Sequence, residues 1–144
     1  MTLKLFRAMW FLSVLVVLTN LLYVYASWPE VVTIQEDEKV VIGKEWLFYI
    51  LMISIVLINV LVYLFKMMFE DAENLRSWFH GLIITINIFF IIAMQALNVY
   101  NSPEVFDHSI VGLYITGSLA LIVLWAAFWP IYLIFQKLIP KQAI

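Results

Sequence analysis

Residues 78–98 read WFHGLIITINIFFIIAMQALN, an apolar run with scattered polar side chains. A helix rises ~1.5 Å per residue, so about 20 apolar residues cross the ~30 Å hydrocarbon core of a bilayer. Positions 80, 87, 94 and 98 follow one another at steps of seven, seven and four, so they share one helical face. Hydrocarbon penalises polar groups, so we expect this face to contact protein. The run carries His80, Asn87, Gln95 and Asn98.

The composition of the whole chain is typical of a membrane protein. Of its 144 residues, 65% are hydrophobic and 12% are charged, and the mean hydropathy is +1.02. A soluble domain is roughly 45–50% apolar and about 25% charged, and a chain of this length has too little interior to hide the surplus. The net charge of −2 offers no electrostatic basis for binding nucleic acid.

The residue types that are missing exclude several kinds of chemistry. Cysteine is absent, which rules out disulfides, thiol catalysis, iron–sulfur clusters and thiolate zinc sites. The sequence has no glycine-rich phosphate loop, no nucleophile elbow and no metal-binding histidine pair. We therefore expect a protein that is not an enzyme and that carries no cofactor and no metal.

Four apolar runs predict an all-α membrane protein, in which four transmembrane helices form an antiparallel bundle within a single domain, residues 1–144. The predicted helices span about residues 7–26, 46–66, 77–98 and 109–135. The first run starts like a cleaved signal peptide, but it is longer than a signal core and has tyrosines near the cleavage position. We therefore expect it to be a retained helix. Pro130 is expected to kink the fourth helix or to mark its exit from the membrane.

Residues 27–45 form the longest polar stretch, between the first two helices. Two Val/Ile-rich quartets, VVTI at 31–34 and KVVI at 39–42, flank an acidic turn and predict a short β-like hairpin or extended lid in this outer loop. Two strands alone are only marginally stable in water, so the hairpin should rest on the helix ends or on a partner. Glu36, Asp37 and Glu38 are expected to be solvated, and their alternative role is to attract a cation or a basic partner.

The basic residues predict the orientation of the chain. Six of them lie on the side of the two termini and two lie on the other side, which places both termini in the cytoplasm under the positive-inside rule. The predicted location is a bacterial inner membrane, with an N-in and C-in topology. The six are Lys4, Arg7, Lys66, Arg76, Lys137 and Lys141, and the two are Lys39 and Lys44.

Polar and small side chains within the helices predict the helix-packing or partner interfaces. Each of the first three helices carries an asparagine near its middle, and an amide without a partner in hydrocarbon costs roughly 2–7 kcal/mol. The fourth helix carries a small-residue ridge at steps of four, which permits close approach of another helix. Three roles stay open for these residues: packing within the bundle, a polar passage or small-ligand pocket, and docking onto another membrane protein. The predicted interface residues are Ser13, Asn20, Asn59, His80, Asn87, Gln95, Asn98, Gly112, Thr116 and Ala120.

His80 is the best single candidate for a cofactor-binding residue, as a ligand of haem iron or of a quinone. It lies at the cytoplasmic end of the third predicted helix, next to Trp78 and Phe79. The other histidine, His108, lies on the opposite membrane face in the predicted topology, so one molecule cannot use both as axial ligands of one haem. The simpler role of His80 is an interfacial histidine that bonds to a headgroup or to a neighbouring loop.

The segment 20–65 combines a first helix that ends in SWPEVV at 27–32 with a short outer segment and with GKEW at 43–46, which opens the second helix. In this outline it resembles the N-terminal module of bacterial membrane proteins related to immunity proteins against a secreted peptide toxin. That module has a Pro-x-His element and an Asn/Asp-Gly turn. Here no histidine follows Pro29 and the turn is acidic, so no functional residue is transferred. The chain is also similar to small four-helix inner-membrane proteins of bacteria.

These observations lead to three hypotheses about function. The first is a non-catalytic accessory or assembly subunit of a larger respiratory or secretory membrane complex, with other integral membrane proteins and lipids as its partners. The alternative is a stand-alone immunity or sensory membrane protein whose outer loop, residues 27–45, binds an external ligand. The third is a haem- or quinone-binding electron carrier that uses His80.

Overall fold

The apolar runs form four long helices, and a small hairpin connects the first helix to the second. The computed structural model describes residues 2–35, 40–102 and 108–139, except for the side chains of residues 35, 108 and 109. All four helices are long and apolar enough to cross a membrane, which confirms that prediction. In chain order the elements are α1 (Thr2–Ser27), β1 (Val31–Gln35), β2 (Val40–Gly43), α2 (Lys44–Met68), α3 (Glu73–Tyr100) and α4 (His108–Leu138).

Every helix extends beyond its predicted bounds. For example, α1 begins at Thr2 instead of residue 7, and α3 begins at Glu73 instead of residue 77. The predicted bounds followed the hydrophobic run, whereas a helix ends where its backbone hydrogen bonds end, and Lys and Glu are good helix formers. The fourth helix also continues through Pro130 to Leu138, although proline removes one backbone hydrogen bond.

The third helix lies at the centre of the fold and contacts α1, α2, α4 and β1. Of an apolar stretch of 18 residues in α3, 28% is buried inside the chain, whereas the corresponding share for α4 is 6%. The main hydrophobic cluster joins Leu21 of α1, Ile55 of α2 and Met94 of α3, all of which are fully buried. The positions 80, 87 and 94 of α3, which follow at steps of seven, are all buried, so this face of the helix contacts protein.

The hairpin is antiparallel and packs on the ends of the helices. Residues of β1 pair with those of β2 from Val31 opposite Gly43, with a register shift between Thr33 and Gln35. Val32 is fully buried in the main hydrophobic cluster. At the end of α3, Asn101 Oδ1 accepts a hydrogen bond from the Thr33 backbone N–H at 2.7 Å, and Asn101 Nδ2 donates to the Thr33 carbonyl at 3.0 Å. The predicted acidic turn at residues 36–38 lies outside the described residues.

The fourth helix packs on α3 through a pair of tryptophans. The indole Nε1 of Trp78 donates to the Trp125 carbonyl at 2.9 Å, and the indole Nε1 of Trp125 donates to the Trp78 carbonyl at 2.9 Å. Gly81 makes this approach possible, because a Cβ at this position would overlap the Trp125 ring. The indole therefore occupies the space that any other residue at position 81 would fill.

Candidate functional site

A cluster of buried polar side chains joins the first three helices. Asn59 of α2 and Asn87 of α3 bond to each other twice, because Nδ2 of each donates to Oδ1 of the other at 2.9 Å. Nε1 of Trp10 in α1 donates to Asn59 Oδ1 at 2.9 Å, and Asn87 Nδ2 donates to Ser13 Oγ at 2.9 Å. We call these four residues, Trp10, Ser13, Asn59 and Asn87, the amide cluster.

The hydrogen bonds of the amide cluster are closed within the chain. Asn59 Nδ2 also donates to the Ile55 carbonyl at 2.8 Å, and Ser13 Oγ donates to the Trp10 carbonyl at 2.7 Å. Asn87 is fully buried and Asn59 retains only 7% of its exposure. A buried polar network of this kind stabilises one arrangement of the helices when all of its members have partners. The geometry is that of helix packing.

A second polar contact joins α1 to α3 further along. Asn20 follows Ser13 by seven residues in α1, and its Oδ1 accepts a hydrogen bond from Gln95 Nε2. Asn20 Nδ2 is buried with no hydrogen-bond partner among the described residues. Asn98 is half-buried and belongs to neither contact. Polar side chains of α1 and α3 therefore meet at two levels, Ser13 with Asn87 and Asn20 with Gln95.

His80 is buried beside the amide cluster. Its Nδ1 lies 2.7 Å from the Arg76 carbonyl oxygen, and its ring meets the Trp10 ring edge-on, with 5.8 Å between centroids. The cavity next to it has a volume of about 180 Å³. Sites for small molecules are typically about 300–1,000 Å³, so this cavity has no room for a haem within one chain. The cavity is lined by Arg7, Trp10, Val62, Tyr63, Lys66, Arg76 and His80.

The predicted small-residue ridge lies on the outer side of α4. Gly112, Thr116 and Ala120 are all exposed, and a Cβ added to Gly112 would meet nothing within 4 Å. At about 100° per residue, this ridge points away from the side of α4 that carries Trp125 and faces α3. Among the described residues, the ridge therefore faces away from the other helices.

A groove opens between α3 and α4, away from the tryptophan pair. Its volume is about 440 Å³, and its walls are almost entirely apolar. The two helices touch at Gly81 but leave open space near Ala96, so they pack together over only part of their length. The lining residues are Ile91, Ile92, Gln95, Ala96, Val99, Ile110, Val111 and Tyr114.

Sequence reasoning missed three features of this arrangement. Tryptophans near helix ends are typical interface anchors, yet Trp10 and Trp28 are both buried, and Trp10 completes the amide cluster. The contact of Gly81 with Trp125 depends on which residues of two helices meet, and no local pattern contains that information. Asn101 follows the end of α3 and pairs with Thr33 of the hairpin, a contact between distant segments that no local pattern contains either. The one available signal was that indole N–H groups and amides need partners in hydrocarbon.

These features define a four-helix protein whose helices can all cross a membrane and whose polar side chains gather around α3. Among the described residues, no group of three His, Asp or Glu side chains could hold a metal ion. No protein-family model, curated protein or solved structure matches the chain.

Proposed function

We propose that this protein is a non-catalytic accessory or assembly subunit of a larger respiratory or secretory membrane complex. The observation that carries the proposal is the uncovered ridge of α4, Gly112, Thr116 and Ala120. Small residues at this spacing let another helix approach closely, which is the main source of helix association in lipid. The occupant we propose is a transmembrane helix of another integral membrane protein.

The non-catalytic part of the proposal rests on the state of the polar residues. The buried amides bond to one another, so they offer no reactive group to a substrate. His80 lies against Trp10 and the Arg76 carbonyl beside a small cavity. The buried amides and His80 are thus engaged in packing.

The proposed orientation keeps both termini in the cytoplasm of a bacterial inner membrane. It is supported by the six-to-two distribution of basic residues. It is also supported by the cavity beside His80, around which Arg7, Lys66 and Arg76 of three helices gather at one end of the bundle. Reporter fusions at both termini test this topology, and an external reporter at either end would contradict it.

A native-detergent pull-down of the tagged full-length protein tests the subunit proposal. We expect a membrane complex to co-purify in fixed stoichiometry, and Ala120→Leu to lower its recovery about tenfold or more by filling the ridge. The matched control is Ala8→Leu, the same change at an exposed position of α1. Equal recovery with both variants, or a protein that purifies alone, would contradict the proposal.

A second function is favoured by the hairpin. It is held by Asn101 and by the buried Val32, while Val31 and Val41 remain more than half exposed. Paired strands with exposed apolar side chains suit a receptor for an external ligand in a stand-alone immunity or sensory protein. Replacing Glu36, Asp37 and Glu38 by serine then abolishes the response while the protein still inserts, and an unchanged response would remove this alternative.

A further inference from the structure

Three helices bring their basic side chains to one small cavity. Arg7 comes from the start of α1, Lys66 from the last turn of α2 and Arg76 from the first turn of α3. Together with His80 they surround a volume of about 180 Å³, and no carboxylate is among its lining residues. Like charges held around one cavity raise one another's energy, and a bound anion lowers it.

Arg76 is the strongest indication that this cavity binds a ligand. Its side chain is only 8% exposed, and its Nη1 donates to the Glu70 carbonyl at 3.0 Å. Its Nε is buried and has no hydrogen-bond partner among the described residues. A guanidinium is always charged and has five N–H donors, so a buried one with an unused donor indicates a missing acceptor.

The remaining walls are fixed and partly apolar. Trp10 is held in place by its hydrogen bond to Asn59, and the Tyr63 ring meets it edge-on with 5.9 Å between centroids. Val62 completes the apolar side of the cavity. A ligand that fits this arrangement has a compact anionic group for the basic side and a less polar part for the aromatic side.

We propose that the cavity bounded by Arg7, Lys66, Arg76 and His80 binds a phosphate group. The planar fork of arginine matches two phosphate oxygens, which favours phosphate over a smaller anion. The cavity also lies where three membrane-spanning helices begin or end, which is the depth of phospholipid headgroups. The same chemistry would accept a soluble phosphate. This proposal does not depend on α4 or on a partner protein.

Native mass spectrometry of the full-length protein in neutral detergent tests the proposal. The probes are phosphatidylglycerol, diacylglycerol, which lacks the phosphate group, and inorganic phosphate, each added alone. We expect retention of one phosphatidylglycerol per chain. The double variant Arg7→Gln with Lys66→Gln should lower retention about tenfold or more, because a lost charge-assisted contact changes an equilibrium constant by roughly this factor. Both side chains are exposed, so this variant should fold.

The controls separate the outcomes. Lys4→Gln removes one charge from the same end of α1 without touching the cavity, and it should retain the ligand. Arg76→Gln should lose it, and if that buried variant does not fold, the double variant still decides. Retention of inorganic phosphate without lipid preference would support the site with a soluble ligand. Equal retention of both lipids with no phosphate bound, or an equal loss in Lys4→Gln, would overturn the proposal.

Discussion

The hydroxyls of the fourth helix and the buried amides of the first three helices find their hydrogen-bond partners in different places. Thr116 of α4 donates to the Gly112 carbonyl at 2.9 Å, and Ser118 donates to the Ile115 carbonyl at 2.8 Å. Both hydroxyls are thus satisfied within their own helix. Asn59 satisfies only one N–H in that way, with the Ile55 carbonyl, and needs α1 and α3 for the rest.

This difference explains which helices must pack together. A hydroxyl has one hydrogen to donate, and a carbonyl one turn back accepts it. An amide has two donors and an acceptor oxygen, so a single helix cannot satisfy it. Asparagine therefore requires other helices in hydrocarbon, whereas serine and threonine leave α4 able to face lipid or a partner. The burial of the two helices is consistent with this, because 28% of the apolar stretch of α3 is buried inside the chain, against 6% for α4.

The largest expected effect comes from breaking the amide cluster at Asn59. Asn59→Leu leaves the Trp10 indole N–H without an acceptor and Asn87 Oδ1 without a donor. Each orphaned group costs roughly 1–3 kcal/mol, so the free energy of unfolding should fall by about 2–6 kcal/mol. Denaturant titration in detergent micelles, followed by circular dichroism, measures it.

Asn87→Leu is the matched control, because it leaves one polar group without a partner where Asn59→Leu leaves two. One Asn59 N–H loses its acceptor, while Asn59 retains the Ile55 carbonyl and Trp10, and Ser13 retains the Trp10 carbonyl. We expect a loss of roughly 1–3 kcal/mol, the cost of one orphaned group. Equal losses in the two variants would show that the Trp10 bond contributes nothing.

A smaller effect is expected where α4 meets α3. Gly81→Leu forces a side chain into the Trp125 ring, and overpacking of this kind costs about 1–3 kcal/mol. The amide cluster should remain intact, so the loss should be relieved when Trp125→Ala is added. The same titration measures the coupling between the two positions.

Gly117→Leu is the control for this contact. A Cβ at Gly117 meets nothing within 4 Å, so the substitution should be neutral or slightly stabilising through helix propensity. An equal loss at both glycines, or no relief from Trp125→Ala, would mean that the tryptophan pair does not set the position of α4.

The smallest effect is expected on the outer side of α4. Ala120→Leu should change the free energy of unfolding of the isolated protein by no more than about 0.5 kcal/mol, because exposed substitutions rarely do more. The same variant should nevertheless lose its partner in the pull-down. A clear destabilisation of the isolated chain would show that the ridge packs within the protein.

The sequence was sufficient to predict the features that depend on local patterns. The length of the apolar runs predicted four helices, and the steps of seven predicted the protein-facing side of α3. The Val/Ile quartets predicted the strands of the hairpin. These follow from periodicity and from the cost of polar groups in hydrocarbon, which act on each segment separately.

Other features depend on which segments meet, and the sequence alone did not contain them. Trp10 lies near a helix end, where tryptophan is typically an interface anchor, but its indole N–H donates to a buried amide of α2. Gly112 and Gly81 look alike in sequence, yet one faces open space and the other faces an indole ring. The sequence likewise did not determine whether the small-residue ridge of α4 faces α3 or points outward.

Site-specific photo-crosslinking in intact cells tests the central claim most directly. A photoreactive residue placed at Ala120 should form an adduct of defined mass with another integral membrane protein, because the ridge faces away from α3. The same residue placed at Ala8, which is exposed on α1, should capture only lipid. An adduct of the same mass at both positions, or lipid alone at Ala120, would contradict the account.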